Sequence, residues 1–185
     1  MNPQITGTPQ LPQPVPADRP DRTLVTVICF DYGGTLSADR IDHQLREKPV
    51  DPAAAAALHA LHRSGITLLL GSNTLPCEGR WPALQQAGID HLFRAALLSY
   101  PLGVGKPQPI FYALVLAAAS CPASQVLFVG DNLDSDVTAP ISHGMHAALV
   151  RPHGLRPGES LPDGAMLITH VRELPALLET TGDQR

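Results

Sequence analysis

The sequence predicts an α/β fold, a Rossmann-like three-layer α/β/α sandwich with a mainly parallel sheet between two layers of helices. Short runs of apolar and β-branched residues alternate with helical segments along most of the chain. That alternation is typical of parallel strands joined by right-handed crossovers. Three of the apolar runs also end in polar or acidic side chains, and the carboxyl ends of strands are where open α/β sheets place their ligands.

The predicted elements follow this alternation in order. Strands are predicted at residues 24–30, 66–70, 95–98, 126–129, 147–150 and 166–168. Helices are predicted at residues 51–63, 81–87, 109–119 and 171–178, with a further helix that follows the fourth strand and ends near residue 144. Asp51 and Pro52 begin the first helix because aspartate is a favourable N-cap and proline is tolerated at the first helical position. Residues 37–50 are polar and predict a loop.

The length and the distribution of proline predict one folded domain behind a tail. The chain has 185 residues, enough for a single domain with a substantial core. Residues 1–22 contain six prolines and few apolar side chains, so we expect a disordered, proline-rich N-terminal tail. Residues 23–185 then form the folded domain.

Charge and cysteine content exclude several classes of protein. The formal net charge is −4 and no run of lysine or arginine occurs, which argues against a nucleic-acid partner. No apolar run approaches the length needed to span a membrane. The three cysteines, Cys29, Cys77 and Cys121, match neither a disulfide framework nor a zinc site. We therefore expect a cytoplasmic protein with no membrane partner.

Polar side chains end three of the predicted strands, and one lysine precedes the helix between the third and fourth strands. The residues are Asp31 after the first strand, Ser72 and Asn73 after the second, Asp131, Asp134 and Asp136 after the fourth, and Lys106. Because parallel strands end on the same edge of a sheet, we expect these groups to converge on one pocket.

Such a pocket has the chemistry of a phosphate and magnesium site. Two carboxylates and a carbonyl are the hard oxygen ligands that Mg²⁺ prefers. Ser72 and main-chain N–H groups of the glycine turn after Asp31 can bind phosphate oxygens. Lys106 can neutralise negative charge that develops in a transition state. A carboxylate beside a bound phosphate is also suited to act as a nucleophile and to form an aspartyl-phosphate.

In order and spacing, these segments resemble the four motifs of the haloacid dehalogenase-like (HAD) superfamily. The motifs of that superfamily are D-x-D-G-T, a Ser or Thr at a strand end, a Lys, and G-D-x-x-x-x-D. Here they read Asp31-Tyr32-Gly33-Gly34-Thr35, Ser72, Lys106, and Gly130-Asp131 through Asp136. The resemblance covers residues 23–178, and it implies a HAD-like core and hydrolase chemistry on a phosphorylated substrate.

The resemblance implies specific roles at the matching positions. Asp31 would be the nucleophile and a Mg²⁺ ligand, with the carbonyl of Gly33 and the carboxylate of Asp131 as further ligands. The implied phosphate-binding residues are Ser72, Asn73 through its N–H, Gly34 and Lys106. Lys106 would also pair with Asp31. Asp136 would orient either Lys106 or the waters on the metal, with Thr35 in support. For Asp134, we expect a helix N-cap instead of a place in the site.

The first motif departs from the superfamily at Gly33. The usual phosphatase has a second aspartate there, which protonates the leaving group and then activates water. Loss of such a group typically removes on the order of 10²–10⁴-fold in rate. Either the leaving group needs little protonation, as in an acyl phosphate or anhydride, or another residue supplies the proton. Candidates on nearby predicted loops are Tyr32, Asp39, Asp42, His43 and Glu78, although a solvated loop position is the favoured interpretation for each.

A second departure concerns the cap domain that many superfamily members insert after the first or second motif. Here the helices and strands of the core nearly fill those intervals, so the sequence predicts a capless member. An open site cannot exclude water by closing a lid. We therefore expect a bulky or carrier-borne phosphorylated substrate, or a second copy of the chain or another protein that covers the site.

Three functions remain open on the sequence alone. The first is a Mg²⁺-dependent phosphatase that acts through Asp31. The second is a catalytically silent binding or scaffold protein, and the third is a HAD relative with non-phosphatase chemistry in small-molecule biosynthesis. Gly33 keeps the second and third open, whereas the intact set of Asp31, Lys106, Asp131 and Asp136 favours the first.

Overall fold

The computed structural model describes residues 25–179. The predicted tail at residues 1–22 and the first residue of the predicted first strand, Leu24, lie outside the described residues. No helix among the described residues is both long enough and apolar enough to span a bilayer.

Six parallel strands form one sheet, in the order β3-β2-β1-β4-β5-β6. The strands are β1 (Val27–Phe30), β2 (Thr67–Ser72), β3 (Phe93–Leu98), β4 (Val126–Gly130), β5 (His146–Val150) and β6 (Ala165–Ile168). The order reverses at β1, which pairs with β2 on one side and β4 on the other. The structure thus confirms the predicted Rossmann-like α/β/α sandwich.

Helices cover both faces of the sheet. They are α1 (Pro52–Arg63), α2 (Trp81–Gln86), α3 (Ser99–Leu102), α4 (Pro109–Ala119), α5 (Ala139–Ser142) and α6 (Leu174–Glu179). Asp51 caps α1 as predicted, because its carboxylate accepts a hydrogen bond of 2.9 Å from the N–H of Ala54.

The structure differs from the prediction at three helical segments. The short α3 was not predicted, because a four-residue helix that contains a proline carries little periodicity. The segment after β4 starts as a π-helical turn, Leu133–Thr138, and regular α-helix begins only at Ala139. Pro140 lies at that junction and has no N–H to donate to a carbonyl one turn earlier. The predicted last helix starts with a 3₁₀ turn, Val171–Glu173.

The two faces of β1 explain why its sequence is apolar throughout. Ile28 and Phe30 pack with residues of α1, α2 and α6 on one side of the sheet, and Leu58 belongs to this cluster. Cys29 faces the opposite side, where it packs with Phe111 and other residues of α4. Because both faces are covered, strict alternation of polar and apolar residues is absent. All strands end on one edge, and that edge carries the polar side chains described next.

Candidate active site

Asp31 continues the first strand toward the edge of the sheet. Its N–H donates to the carbonyl of Val129 at 2.8 Å, which extends the pairing between β1 and β4 by one residue. The following ring, Tyr32, turns into the core and is buried, and its hydroxyl donates to the carbonyl of Lys48 at 2.5 Å. Asp31 is thereby held at the strand end with only 8% of its surface exposed.

The ammonium group of Lys106 lies between two carboxylates. Its Nζ is 2.8 Å from Oδ1 of Asp31 and 2.7 Å from Oδ1 of Asp136. Burial alone lowers the pKa of Lys106, but the charges of the two aspartates and their hydrogen bonds outweigh burial and raise it. Lys106 is therefore charged. It bridges Asp31 and Asp136, which follow different strands and are 105 positions apart in the chain.

Asn73 places Lys106 through its side chain. The Oδ1 atom of Asn73 accepts from the main-chain N–H of Lys106 at 2.9 Å, and Nδ2 donates to the carbonyl of Lys106 at 2.8 Å. Gly105 permits this approach, because a Cβ there would lie 2.6 Å from Oδ1 of Asn73. From the sequence, only the main-chain N–H of Asn73 was assigned to the site. The position of this asparagine at a strand end was the sequence signal available for the contact of its side chain with the main chain of Lys106.

Asp136 is fully buried and is fixed by the turn that leaves β4. Its Oδ2 accepts from the N–H of Asn132 at 2.9 Å, and its carboxylate packs so closely against Gly130 that a Cβ there would lie 2.3 Å away. The structure thus brings Asp136 to Lys106, as predicted. The predicted capping role of Asp134 is wrong, because Asn132 accepts the N–H groups at the start of this turn and Asp134 is exposed.

Asp131 completes a cluster of three acids. Carboxylate oxygens of Asp31, Asp131 and Asp136 all lie within 4.8 Å of one another. Burial and the neighbouring charge of Asp31 raise the pKa of Asp131. Three carboxylates share the single ammonium of Lys106, so negative charge is in excess. An all-oxygen donor set with excess negative charge fits a hard divalent cation such as Mg²⁺.

The three residues after Tyr32 differ in their surroundings. A Cβ on Gly33 would meet no atom within 4 Å, whereas one on Gly34 would lie 2.4 Å from Oδ2 of Asp131. Gly34 also has a φ of +68°, in the left-handed region that favours glycine. Thr35 is buried, and its Oγ1 has no hydrogen-bond partner within residues 25–179.

Ser72 ends β2 on the same edge of the sheet. It is 1% exposed, and its hydroxyl donates to the carbonyl of Asn73 at 3.4 Å. The long hydrogen bond leaves the hydroxyl free to turn toward a better acceptor. The structure therefore places every residue of the predicted site on one edge of the sheet, and their roles stay predictions.

The candidate proton donors lie in different environments. Tyr32 is not on a solvated loop, because its ring is buried, and burial raises the pKa of its hydroxyl well above the usual range. Asp42 accepts from two main-chain N–H groups of its own turn. Glu78 forms an ion pair with Arg80 at 3.0 Å. Asp39 and His43 are exposed, as the solvated-loop interpretation predicts.

A buried arginine, which the sequence analysis did not single out, also borders the site. Arg151 follows β5 and forms a two-point ion pair with Glu159, with Nη2 to Oε1 at 2.7 Å and Nε to Oε2 at 3.1 Å. Its Nη1 donates to the main-chain carbonyl of Asp131. A cavity of about 300 Å³ opens here, between the turn after β4 and the loop that carries Glu159. An arginine in a loop rich in glycine and proline carries no periodic signal that sequence reasoning could use.

The pattern of the haloacid dehalogenase-like hydrolase family matches residues 38–144, more than half of the chain. Together with the parallel sheet and the acidic strand ends, this match shows that the chain belongs to the haloacid dehalogenase-like hydrolase family.

Relatives with assigned functions include phosphatases. A phosphoserine phosphatase of Thermus thermophilus is 31% identical over 137 residues, which are 74% of this chain and 54% of that protein. A phosphoglycolate phosphatase of Pseudomonas fluorescens is 35% identical over 138 residues, 72% of this chain and 49% of that protein. The chain thus spans about half the length of these curated relatives.

Solved structures show the same fold. A 2-haloacid dehalogenase from Pseudomonas syringae pv. Tomato superposes with a TM-score of 0.68 at 16% sequence identity, covering 84% of this chain and 99% of that one. At this level of identity, the similarity concerns the fold.

The two adjacent glycines of the first turn should respond differently to the same substitution. Gly34→Ala should destabilise the protein by more than about 1 kcal/mol, since it places a side chain at positive φ and drives Cβ into Asp131. Gly33→Ala should change stability by less than about 0.5 kcal/mol, because the space is open. Urea unfolding measures both. Equal losses for the two variants would contradict the described turn.

The ion pair between Arg151 and Glu159 should make stability depend on pH. Its hydrogen bonds hold the pKa of Glu159 at about 2, below the ordinary 4.5. The pair thus stabilises the folded state above pH 4.5, and this contribution is lost as pH falls toward 2. Urea unfolding should show wild type more stable than Glu159→Gln near neutral pH, with a gap that narrows in acid. Asp39→Asn controls for the lost negative charge, and a pH-independent gap would contradict the assignment.

Proposed function

We propose that the protein is a Mg²⁺-dependent phosphatase that works through an aspartyl-phosphate on Asp31. The observation that carries the proposal is the buried ammonium of Lys106, which contacts both Asp31 and Asp136 while Asp131 lies within ligand reach. A merely structural strand end has no need of three acids around one buried lysine. Phosphatase relatives over nearly three quarters of the chain support the same assignment.

The proposed metal ligands are the carboxylates of Asp31 and Asp131 and the carbonyl of Gly33. When bound, Mg²⁺ would offset the negative charge of these carboxylates and of a phosphoryl group beside them. Gly34 supports this geometry, because the absence of a Cβ lets Asp131 approach the turn.

The proposed phosphoryl-binding groups surround Asp31. They are the hydroxyl of Ser72, the N–H groups of Asn73 and Gly34, and the ammonium of Lys106. Lys106 would neutralise charge on the phosphoryl oxygens in the transition state. Asp136 keeps the ammonium in place through its 2.7 Å contact, and Thr35 supports the turn from its buried position.

The chemistry divides into two displacements at phosphorus. A carboxylate oxygen of Asp31 forms a bond to phosphorus while the bond to the leaving oxygen breaks, which gives the aspartyl-phosphate. An oxygen of water then forms a bond to phosphorus while the bond between phosphorus and the Asp31 oxygen breaks, and a proton of that water passes to bulk solvent. This releases inorganic phosphate and regenerates the carboxylate of Asp31. We propose that Gly33 occupies the place of the second family aspartate, so no carboxylic acid at this position protonates the leaving oxygen. This favours substrates whose leaving group departs as a stable anion, such as acyl phosphates and anhydrides.

We also propose that residues 23–185 form a single capless domain. Between β1 and β2 the chain contains α1 and irregular structure at residues 31–51 and 64–66. Between β2 and β4 it contains α2, β3, α3, α4, short 3₁₀ turns and the loops that join them. A site open on this edge suits a bulky or carrier-borne phosphate, or a second copy of the chain or a partner that covers it. The three free cysteines fit a cytoplasmic location.

A second candidate is a catalytically silent protein that binds a phosphorylated ligand. Gly33 is the observation that favours it, because a site without the acid/base aspartate can still bind a phosphoryl group. The phosphatase would hydrolyse a phosphorylated substrate, whereas the silent protein would only bind it.

Turnover of a panel of acyl, ester and anhydride phosphates is the direct test. Wild type should release phosphate from at least the acyl phosphates in a Mg²⁺-dependent manner, and EDTA should abolish the release. Asp31→Asn should lose turnover by about 10³-fold or more, because an amide is a poor nucleophile. Absence of turnover across the panel, with phosphate still bound, would favour the silent binding protein.

Restoring the absent acid should raise activity on poor leaving groups. Gly33→Asp should fit, because a Cβ there meets no atom within 4 Å and the backbone is not at positive φ. Turnover of an alkyl phosphate should rise by about 10²-fold or more, whereas turnover of an acyl phosphate should change little. Gly33→Asn is the matched control without an acid. Equal rates for the two variants would contradict the proposed role of this position.

A further inference from the structure

Two buried arginines outside the four motifs contact the main chain of the site. Arg151, after β5, is 5% exposed, and its Nη1 donates to the carbonyl of Asp131 and, at 3.3 Å, to that of Val150. Its other nitrogens bind both oxygens of Glu159. Because these contacts fix the guanidinium group, its hydrogen bond holds the carbonyl of Asp131 in one position.

Arg80 makes the corresponding contact on the other side of Asp31. Its Nη2 donates to the carbonyl of Asn73 at 3.3 Å. The guanidinium forms ion pairs with Glu47 at 3.4 Å and Glu78 at 3.0 Å, and it lies over the ring of Tyr32, 4.7 Å from the ring centroid. Glu47 belongs to the loop after β1, so Arg80 ties that loop to the end of β2.

Each arginine acts on a different part of the site. Asp131, held by Arg151, is a proposed metal ligand. Asn73, held by Arg80, contacts the main chain of Lys106 at both its N–H and its carbonyl, and Lys106 is a proposed phosphoryl ligand. The two arginines are separated by the acidic cluster and share no acidic partner among the described residues.

We infer that Arg151 and Arg80 are positioning residues with separate effects. Arg151, held by Glu159, fixes the position of the metal ligand Asp131. Arg80, held by Glu47, fixes the position of the phosphoryl ligand Lys106 through Asn73. The inference rests on the proposed function, because it assumes the metal and phosphoryl roles of those residues. Through Glu47 and Glu159, the loops at residues 31–51 and 151–164 hold the open site in shape.

The test is to measure the two binding reactions separately in charge-conserving variants. Arg151→Lys and Arg80→Lys retain the positive charge but lose the multi-point geometry of guanidinium. Mn²⁺ binding is followed by electron paramagnetic resonance, and binding of inorganic phosphate in saturating Mg²⁺ is followed by calorimetry. Arg94→Lys controls for the change of arginine to lysine itself, because Arg94 is exposed and donates to the main-chain carbonyl of Ala119, away from the site.

Arg151→Lys should weaken Mn²⁺ binding by about tenfold or more, as loss of an outer partner of a metal ligand typically does. Arg80→Lys should leave the Mn²⁺ affinity within about twofold and weaken phosphate binding by about tenfold. Glu159→Gln and Glu47→Gln should reproduce the respective pattern more weakly. If circular dichroism shows that an arginine variant is unfolded, the corresponding glutamate variant tests the inference in its place.

Two results would overturn the inference. One is that both arginine variants bind Mn²⁺ and phosphate as Arg94→Lys does. The other is that each weakens both ligands equally, which indicates general loosening of the fold. Failure of the proposed function is distinguishable, because it would appear as absence of turnover by wild type, whereas the inference is judged on the binding of Mn²⁺ and phosphate by the variants relative to wild type.

Discussion

The site depends on one buried ammonium group. Lys106 is 8% exposed and Asp136 is 1% exposed, so neither charge has appreciable contact with water. Removing one partner from such a group leaves an uncompensated buried charge, which typically costs about 3–5 kcal/mol. At the edge of the sheet, both carboxylate partners of this ammonium group are held in place. Asp31 lies at the end of β1, Asp136 lies in the turn after β4, and the side chain of Asn73 holds the main chain of Lys106 between them.

Close approach in this site is made possible by glycines. Gly130, Gly34 and Gly105 each lie where a Cβ would come within 2.6 Å of a site side chain, respectively Asp136, Asp131 and Asn73. Gly33 has no such reason to be glycine, since the space beside it is open. The turn can therefore accept a side chain at Gly33, in contrast to the other three positions.

The sequence predicted the sheet and the polar strand ends, because each strand is an apolar run followed by a polar residue. The contacts of Lys106 with Asp31 and Asp136 were implied by the resemblance to the family motifs. Other features depend on pairs that sequence periodicity does not relate. Arg80 and Glu47 are 33 residues apart. The hydroxyl of the buried Tyr32 donates to the carbonyl of Lys48, which lies in a loop without periodicity. The capping role predicted for Asp134 belongs to Asn132, because both are good caps and only the backbone decides between them.

Nucleophilic attack by Asp31 is the claim on which the functional account depends. The most direct measurement is mass spectrometry of peptides from wild type quenched in acid during turnover of acetyl phosphate with Mg²⁺. Attack by Asp31 predicts one phosphoryl group, located on the peptide that contains Asp31 and absent from Asp31→Asn. Release of phosphate without any phosphorylated Asp31, or with the phosphoryl group on another residue, would contradict it.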